Sequence, residues 1–447
     1  MSKKQLNLFD LVMIVVSLVI GMGIFRTPVV AAQRAGTPSI FFLAWLAGGV
    51  IALCGALTYA EIGSRYPVTG GYYKVFSYGY HPSLGFAVNC IILVSNAGST
   101  AVVGVIGAEY IGHFFYNGPA PEIFRQLVTI GAVAFFYIIN LMGLKMSSRV
   151  QNILTMIKIL LVLLLLLSVF GTHPVSTVHR VMAPSFHQDE SLGLLKAFGF
   201  ALIAVSFSYG GYQQSINFGG EVRNPSRVIP RGIGYGIAII ILLYLSLNFV
   251  YTKVIGFEQL KTADSIAAIL MGHLFGPAGD TILRILMFLS VMAYVNVSQM
   301  SNPRVMYAMS EEGILPAAFH KKSRRHDVIV YSLTVFSAVI IITLLFSSTV
   351  EKIINYTIFL DSIGFATSAA TIFIMRRRKT GEEREIYRMK LFPLVPVVFI
   401  LAYLSVATSI AVDDPSSAMY GLLIFACFFV LYFILRRAQK RRLPKTL

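Results

Sequence analysis

Charge is scarce in this chain. Asp, Glu, Lys and Arg make up 13% of its 447 residues, and hydrophobic residues make up 56%. A soluble globular domain normally carries about twice that share of charge. With a mean hydropathy of +0.73, a soluble enzyme or nucleic-acid-binding domain is excluded. Cysteine is also scarce. The three, Cys54, Cys90 and Cys427, each lie in an apolar run, so they read as small core residues and not as disulfides or metal ligands. No His/Cys/Asp/Glu cluster has ligand spacing, and no metal or cofactor is implied. His173, His179 and His187 fall in one loop between spans and read as solvated. A cleavable signal is not expected either. Lys3 and Lys4 precede a full-length apolar span with no small-residue cleavage pattern behind it.

What the chain does have is apolar runs of membrane-spanning length from end to end. Twelve are expected, over about 9–34, 40–63, 84–115, 125–144, 150–171, 193–219, 232–254, 281–307, 328–349, 353–375, 392–411 and 417–435. The formal net charge of +17 then takes a plain meaning. Lys145 and Arg149, Arg223, Arg227 and Arg231, Lys321 to Arg325, Arg376 to Lys379 and Arg436 to Lys445 all fall on one side of this arrangement. Asp413 and Asp414 fall on the other. The positive-inside rule puts both termini in the cytoplasm, and the basic loops suit anionic lipid, not nucleic acid.

Two spans carry glycines at mid-depth. The first contains Ile20-Gly21-Met22-Gly23-Ile24-Phe25. The sixth contains Phe207-Ser208-Tyr209-Gly210-Gly211-Tyr212. Each glycine weakens a helix interior by about 1 kcal/mol relative to Ala. Irregular backbone at that depth survives only in protein or along a cavity. A small-residue contact between helices is the alternative for either stretch alone. Breaks five spans apart, however, are the signature of inverted repeats with a substrate between the broken pair. One transporter domain is expected: repeat one over about 9–171, repeat two over about 193–375, and two further helices over about 392–435.

Several polar residues lie inside spans. Lys158 sits about 12 Å into the fifth, at 1.5 Å per residue. Snorkelling reaches that far only with difficulty, so function is favoured. Glu61, one turn inside Arg65, reads first as a local ion pair and second as a gate. Arg26 and Asp361 are candidates for an outer gate, and the alternative pairs Asp361 with Arg284. Ser95, Asn96 and Glu109 are expected to face the bundle.

Four stretches in order carry a resemblance: Gly21-Met-Gly-Ile-Phe25, Thr58-Tyr-Ala-Glu-Ile-Gly-Ser-Arg-Tyr-Pro67 with Gly70-Gly-Tyr72, Glu221-Val-Arg-Asn-Pro225 with Ile229-Pro230, and Met309-Ser-Glu-Glu-Gly-Ile-Leu-Pro316. Together they resemble the amino acid–polyamine–organocation (APC) superfamily, most closely the L-type amino acid transporter branch and its bacterial relatives. The resemblance implies an all-α LeuT-like fold of the five-plus-five kind, with spans 1 and 6 broken. It implies an amino acid carboxylate on the backbone amides of Met22, Gly23 and Ile24. The ammonium would take the carbonyls of Ile20, Phe207, Ser208 and Gly210, and Phe207 would be an aromatic lid. Lys158 matches a lysine that stands where sodium-coupled relatives hold sodium; it would bridge Gly21 to a hydroxyl on the eighth span, Tyr294 or Ser298. Tyr209, Tyr212, Ser95, Asn96 and Gln213 would read the substrate side chain. Tyr212 stands where the L-type branch commonly has tryptophan, and Gln213 where it has asparagine. Animal members bond a glycoprotein subunit through a cysteine after the third span. Residues 116–124 hold none, so no covalent heavy chain is expected. The implied activity is sodium-independent exchange of neutral L-amino acids across the cytoplasmic membrane. Proton-coupled symport is the alternative, and a channel or sensor is the rival class.

Overall fold

The computed structural model describes residues 5–21, 23–116, 118–173, 193–263, 265–323, 326–382 and 385–442. Among them the chain is helical throughout: α1 (Leu8–Val19), α2 (Gly23–Ala35), α3 (Pro38–Arg65), α4 (Gly71–Gly79), α5 (Pro82–Gly112), α6 (Glu122–Leu141), α7 (Leu144–Leu167) and α8 (Leu194–Ser208). These are followed by α9 (Pro225–Val254), α10 (Phe257–Leu260), α11 (Ile266–Phe275), α12 (Ala278–Glu311), α13 (Val330–Leu345), α14 (Ser347–Arg377), α15 (Leu394–Asp413) and α16 (Pro415–Arg442). Prolines set several starts: Pro38, Pro82 and Pro225 each stand in the first turn, where the missing N–H has no intrahelical partner to lose.

Nine of these helices are long and apolar enough to cross a membrane, and α1 with α2 makes ten. The expected twelve is therefore reached only by also counting α8 and α13, which run for 15 and 16 residues. Each is short for a local reason. The residues after Ser208 leave the α-helix at Gly210-Gly211 and continue as a 3₁₀ turn, Tyr212–Asn217. The helix α13 stops at Phe346, directly before α14.

Helices α1 and α2 meet at a 45° bend. Around them α3 and α9 pack on one side, and α5, α7 and α12 form a second group. The bend at Ile20–Gly21 and the turn at Gly210–Gly211 are held against each other. Gly211 has φ +113°, and a Cβ there would lie 2.4 Å from the carbonyl oxygen of Leu18. Only glycine lets these two chains approach so closely.

The basic loops meet at one end of the bundle. Glu61 is fully buried and accepts from Arg65 Nε at 2.8 Å, from Arg376 at 2.8 and 2.6 Å, and from the amide of Met389 at 2.9 Å. Arg65 continues to the carbonyl of Thr380 at 3.1 Å. A second buried pair, Arg304–Glu221 at 2.6 Å, joins α12 to the turn before α9. The backbone of Glu221 accepts from the amides of Gln5 and Leu6, which fastens the segment before α1 to the same end. The local ion pair expected of Glu61 with Arg65 is present, and the link to α14 is the part that sequence proximity could not show.

Two outcomes follow from this packing. Glu61→Gln leaves two guanidinium groups around a neutral amide and is expected to cost on the order of 3 kcal/mol, read as a lower thermal midpoint of the detergent-solubilised protein. Gly211→Ala forces a disfavoured φ and a backbone clash. It is expected to lower the midpoint and to abolish transport, whereas Gly234→Ala, which meets no neighbour within 4 Å, leaves both unchanged.

Candidate functional site

A helix that ends inside the bundle leaves carbonyls without amide partners. The structure answers this at the end of α1 group by group. The carbonyl of Ile20 accepts from Lys158 Nζ at 2.6 Å. That of Ser17 lies 3.4 Å from the same ammonium, and that of Val19 accepts from the Tyr244 hydroxyl at 3.3 Å. Lys158 itself is 1% exposed. Its cation sits at the C-terminal end of a helix, where the dipole favours positive charge.

On the far side of the bend, α2 begins at Gly23. The amides of Gly23 and Ile24 therefore belong to a first helical turn, where no intrahelical acceptor exists. The neighbour facing them is Ser208, the last residue of α8. A Cβ on Gly23 would lie 3.1 Å from its hydroxyl oxygen. That hydroxyl is buried and has no hydrogen-bond partner among the described residues. The break thus brings together one helix start, two helix ends and one uncommitted hydroxyl: donors for a carboxylate beside acceptors for an ammonium.

The other residues singled out from sequence fall as follows. Met22 lies outside the described residues, as do His179 and His187 and the side chain of Phe207. Gly21 and Gly210 lie in the two breaks. Tyr209 packs on α3 and α9, with its ring 5.9 Å from Trp45 and 5.1 Å from Tyr244, and its hydroxyl donates to the Trp45 carbonyl at 3.3 Å. Tyr212 also turns to α3. It lies 6.1 Å from the Tyr59 ring, over Gly55, where a Cβ would meet its hydroxyl. Asn96 is committed to Asn302 at 2.7 Å, and Gln213 accepts from the Gly211 amide at 2.9 Å. These contacts are internal to the protein.

Lys158 is not joined to Tyr294 or Ser298 in this conformation. Ser298 Oγ is shared with Thr100 at 2.7 Å and with Asn302 at 3.2 Å, and the hydroxyl beside the lysine is that of Ser17, at 3.5 Å. Arg26 is exposed and lines a cleft of about 410 Å³ with Tyr110, Asp280 and Arg284. Arg284 pairs with Asp280 at 2.6 Å, four residues away on its own helix. No ion pair joins Arg26 or Arg284 to Asp361 among the described residues. Glu109 is occupied by Arg125 at 2.8 Å. Ser17, Gln151 and Tyr244 were not singled out from sequence. Gln151, two turns before Lys158 on the same apolar helix, is the one of the three that carries a signal in the sequence; Ser17 and Tyr244 lie on other helices.

Comparison with known proteins agrees with this geometry. The chain is 28% identical over 445 residues to the serine/threonine exchanger SteT of Bacillus subtilis (strain 168), covering 98% of each. It is 24% identical over 436 residues to the b(0,+)-type amino acid transporter 1 of Mus musculus, covering 97% of this chain and 88% of that one. It is 25% identical over 429 residues to the cystine/glutamate transporter of Homo sapiens, covering 94% and 83%. A family profile described as amino acid permease matches residues 6–444. This multi-pass membrane protein belongs to the amino acid permease family and is an amino acid transporter, not an enzyme.

Proposed function

We propose that this transporter exchanges neutral L-amino acids across the cytoplasmic membrane by alternating access, without sodium. The observation that carries the reading is the pairing of Lys158 with the Ile20 carbonyl directly beneath the break. A fixed ammonium there supplies the positive charge that would otherwise call for a mobile cation. The substrate carboxylate lies on the amides of Gly23 and Ile24 at the start of α2. Its ammonium lies on the carbonyls of Ile20, Phe207, Ser208 and Gly210; a carbonyl has two lone pairs, so Ile20 can serve Lys158 and the substrate together. The described side chains around Gly23 and Ser208 include no carboxylate committed to a cationic substrate, which favours a neutral one.

In the same reading the chain has twelve spans in two inverted repeats, with α8 the outer half of a broken sixth span and α13 the ninth. Both termini are cytoplasmic, so the Glu61 and Glu221 ion pairs close the cytoplasmic side while the Arg26 cleft faces outward. Arg26 and Asp361, apart here, come together when the outer side closes. The serine/threonine exchanger among the relatives supports exchange, and its name supports small polar substrates. No covalent partner subunit takes part.

The test uses purified protein in liposomes preloaded with neutral amino acids, following radiolabelled serine, alanine and leucine. Uptake only into loaded liposomes, equal with and without sodium, is the expected result, and Lys158→Ala reduces it at least tenfold. Sodium dependence of the wild type would overturn the role given to Lys158. Uptake into empty liposomes driven by external acid would replace exchange by proton symport.

A further inference from the structure

Beneath Lys158 lies a run of buried side-chain amides that the substrate site does not itself use. Asn140 on α6 donates through Nδ2 to Asn296 Oδ1 at 3.0 Å. Asn296 on α12 donates to Gln151 Oε1 at 2.8 Å, and Gln151 on α7 donates to Ser17 Oγ at 2.7 Å. Ser17 in turn points its hydroxyl at the Ala293 carbonyl, at 3.5 Å. Ser17, Gln151 and Asn296 are fully buried, and every polar atom of these three side chains has a partner. Donation therefore runs in one direction along the relay. Turning over the Gln151 amide would set its NH₂ against that of Asn296 and leave its oxygen facing a hydroxyl already committed elsewhere. The orientation of every group is locked by its neighbour.

The relay ends where the break begins. Ser17 is one turn before Ile20, and Lys158 Nζ reaches Ser17 O at 3.4 Å, Ser17 Oγ at 3.5 Å and Ile20 O at 2.6 Å. Gln151 and Lys158 are seven residues apart on α7, with Thr155 between them accepting from Gln151 at 3.2 Å; all three share one helix face. The ammonium has three protons and one short acceptor, so its seat depends on where the last turn of α1 stands. Packing alone would fill this interface with apolar side chains, because a buried amide is tolerated only when each of its groups is paired.

We propose that Gln151 and Asn296 are positioning residues for substrate binding. They hold Ser17 against α7 and α12, and through Ser17 they set the Ile20 carbonyl that Lys158 and the substrate ammonium share. This rests on the reading that substrate binds at the break. Neither residue touches substrate.

The experiment measures the concentration dependence of serine exchange and the thermal midpoint for wild type, Ser17→Ala, Ser17→Thr, Gln151→Leu, Asn296→Ala and the double variant Ser17→Ala with Gln151→Leu. The control is Asn302→Ser, which loses the buried amide bond to Asn96 away from Lys158. The expected result is a KM raised about tenfold in Ser17→Ala, Gln151→Leu and Asn296→Ala, with the double variant no worse than either of its singles. Ser17→Thr, which keeps the hydroxyl, restores the wild-type KM, and Asn302→Ser changes only the midpoint. Ser17→Ala removes a single oxygen and little volume, so it tests the relay even where Gln151→Leu does not fold. A KM within twofold of wild type in Ser17→Ala, or losses that add in the double variant, would overturn the proposal. Wild-type protein with no saturable exchange would instead mean that the transport reading has failed.

Discussion

An unwound helix in a bilayer must satisfy its own carbonyls, because lipid offers no donor. Everything around the break between α1 and α2 follows from that requirement. The last carbonyls of α1 are met by an ammonium, by a tyrosine hydroxyl and by a glycine that lets a second broken segment lie against them. A cation is the strongest available donor for a helix C-terminus. It is also the costliest side chain to bury alone. Lys158 and the end of α1 therefore stabilise each other: neither arrangement is tenable without its partner, so a change at one is felt at the other.

The same logic separates the two ends of the molecule. At the end that carries the basic loops, Glu61 takes four donors and Glu221 takes Arg304, and both carboxylates are buried. Buried pairs of this kind resist separation because either charge left alone is destabilising. At the other end, Arg284–Asp280 lies within one helix and is partly exposed, and such pairs contribute little. Among the described residues the buried ion pairs thus lie at one end, and the pair at the other is partly exposed.

Much of this was legible in the chain itself, because membranes demand long apolar runs and glycines at depth are conspicuous. The two breaks, the helix order and the isolation of Lys158 all show as departures from an otherwise uniform hydrophobic text. What was not legible is where side chains point around a helix that has stopped being regular. Tyr209 and Tyr212 look like pocket residues by position, yet past Ser208 the chain turns, and both rings go to α3 beside Trp45 and Gly55. The hydroxyl beside Lys158 was sought on the eighth span by family resemblance, and here it is Ser17, on α1 itself. Serine on an apolar helix gives no outward sign of such a role. The span count differs for a related reason: hydropathy reads Phe200 to Phe218 as one segment, whereas the α-helix stops at Ser208.

These placements bear on selectivity. With both tyrosines turned to α3, the aromatic groups beside α8 form a wall: Trp45, Tyr209 and Tyr244 with edge-to-face or tilted rings on one level, Tyr59 and Tyr212 on the next. A wall of this kind fixes the width of the space it borders, because large rings in contact cannot yield without opening a void. Ser208 adds a polar group, a hydroxyl that is buried, unpartnered among the described residues and close to Gly23. An unpaired buried hydroxyl is unfavourable until something satisfies it. A substrate that brings a donor or acceptor to that point relieves the penalty, and an aliphatic one of equal size does not.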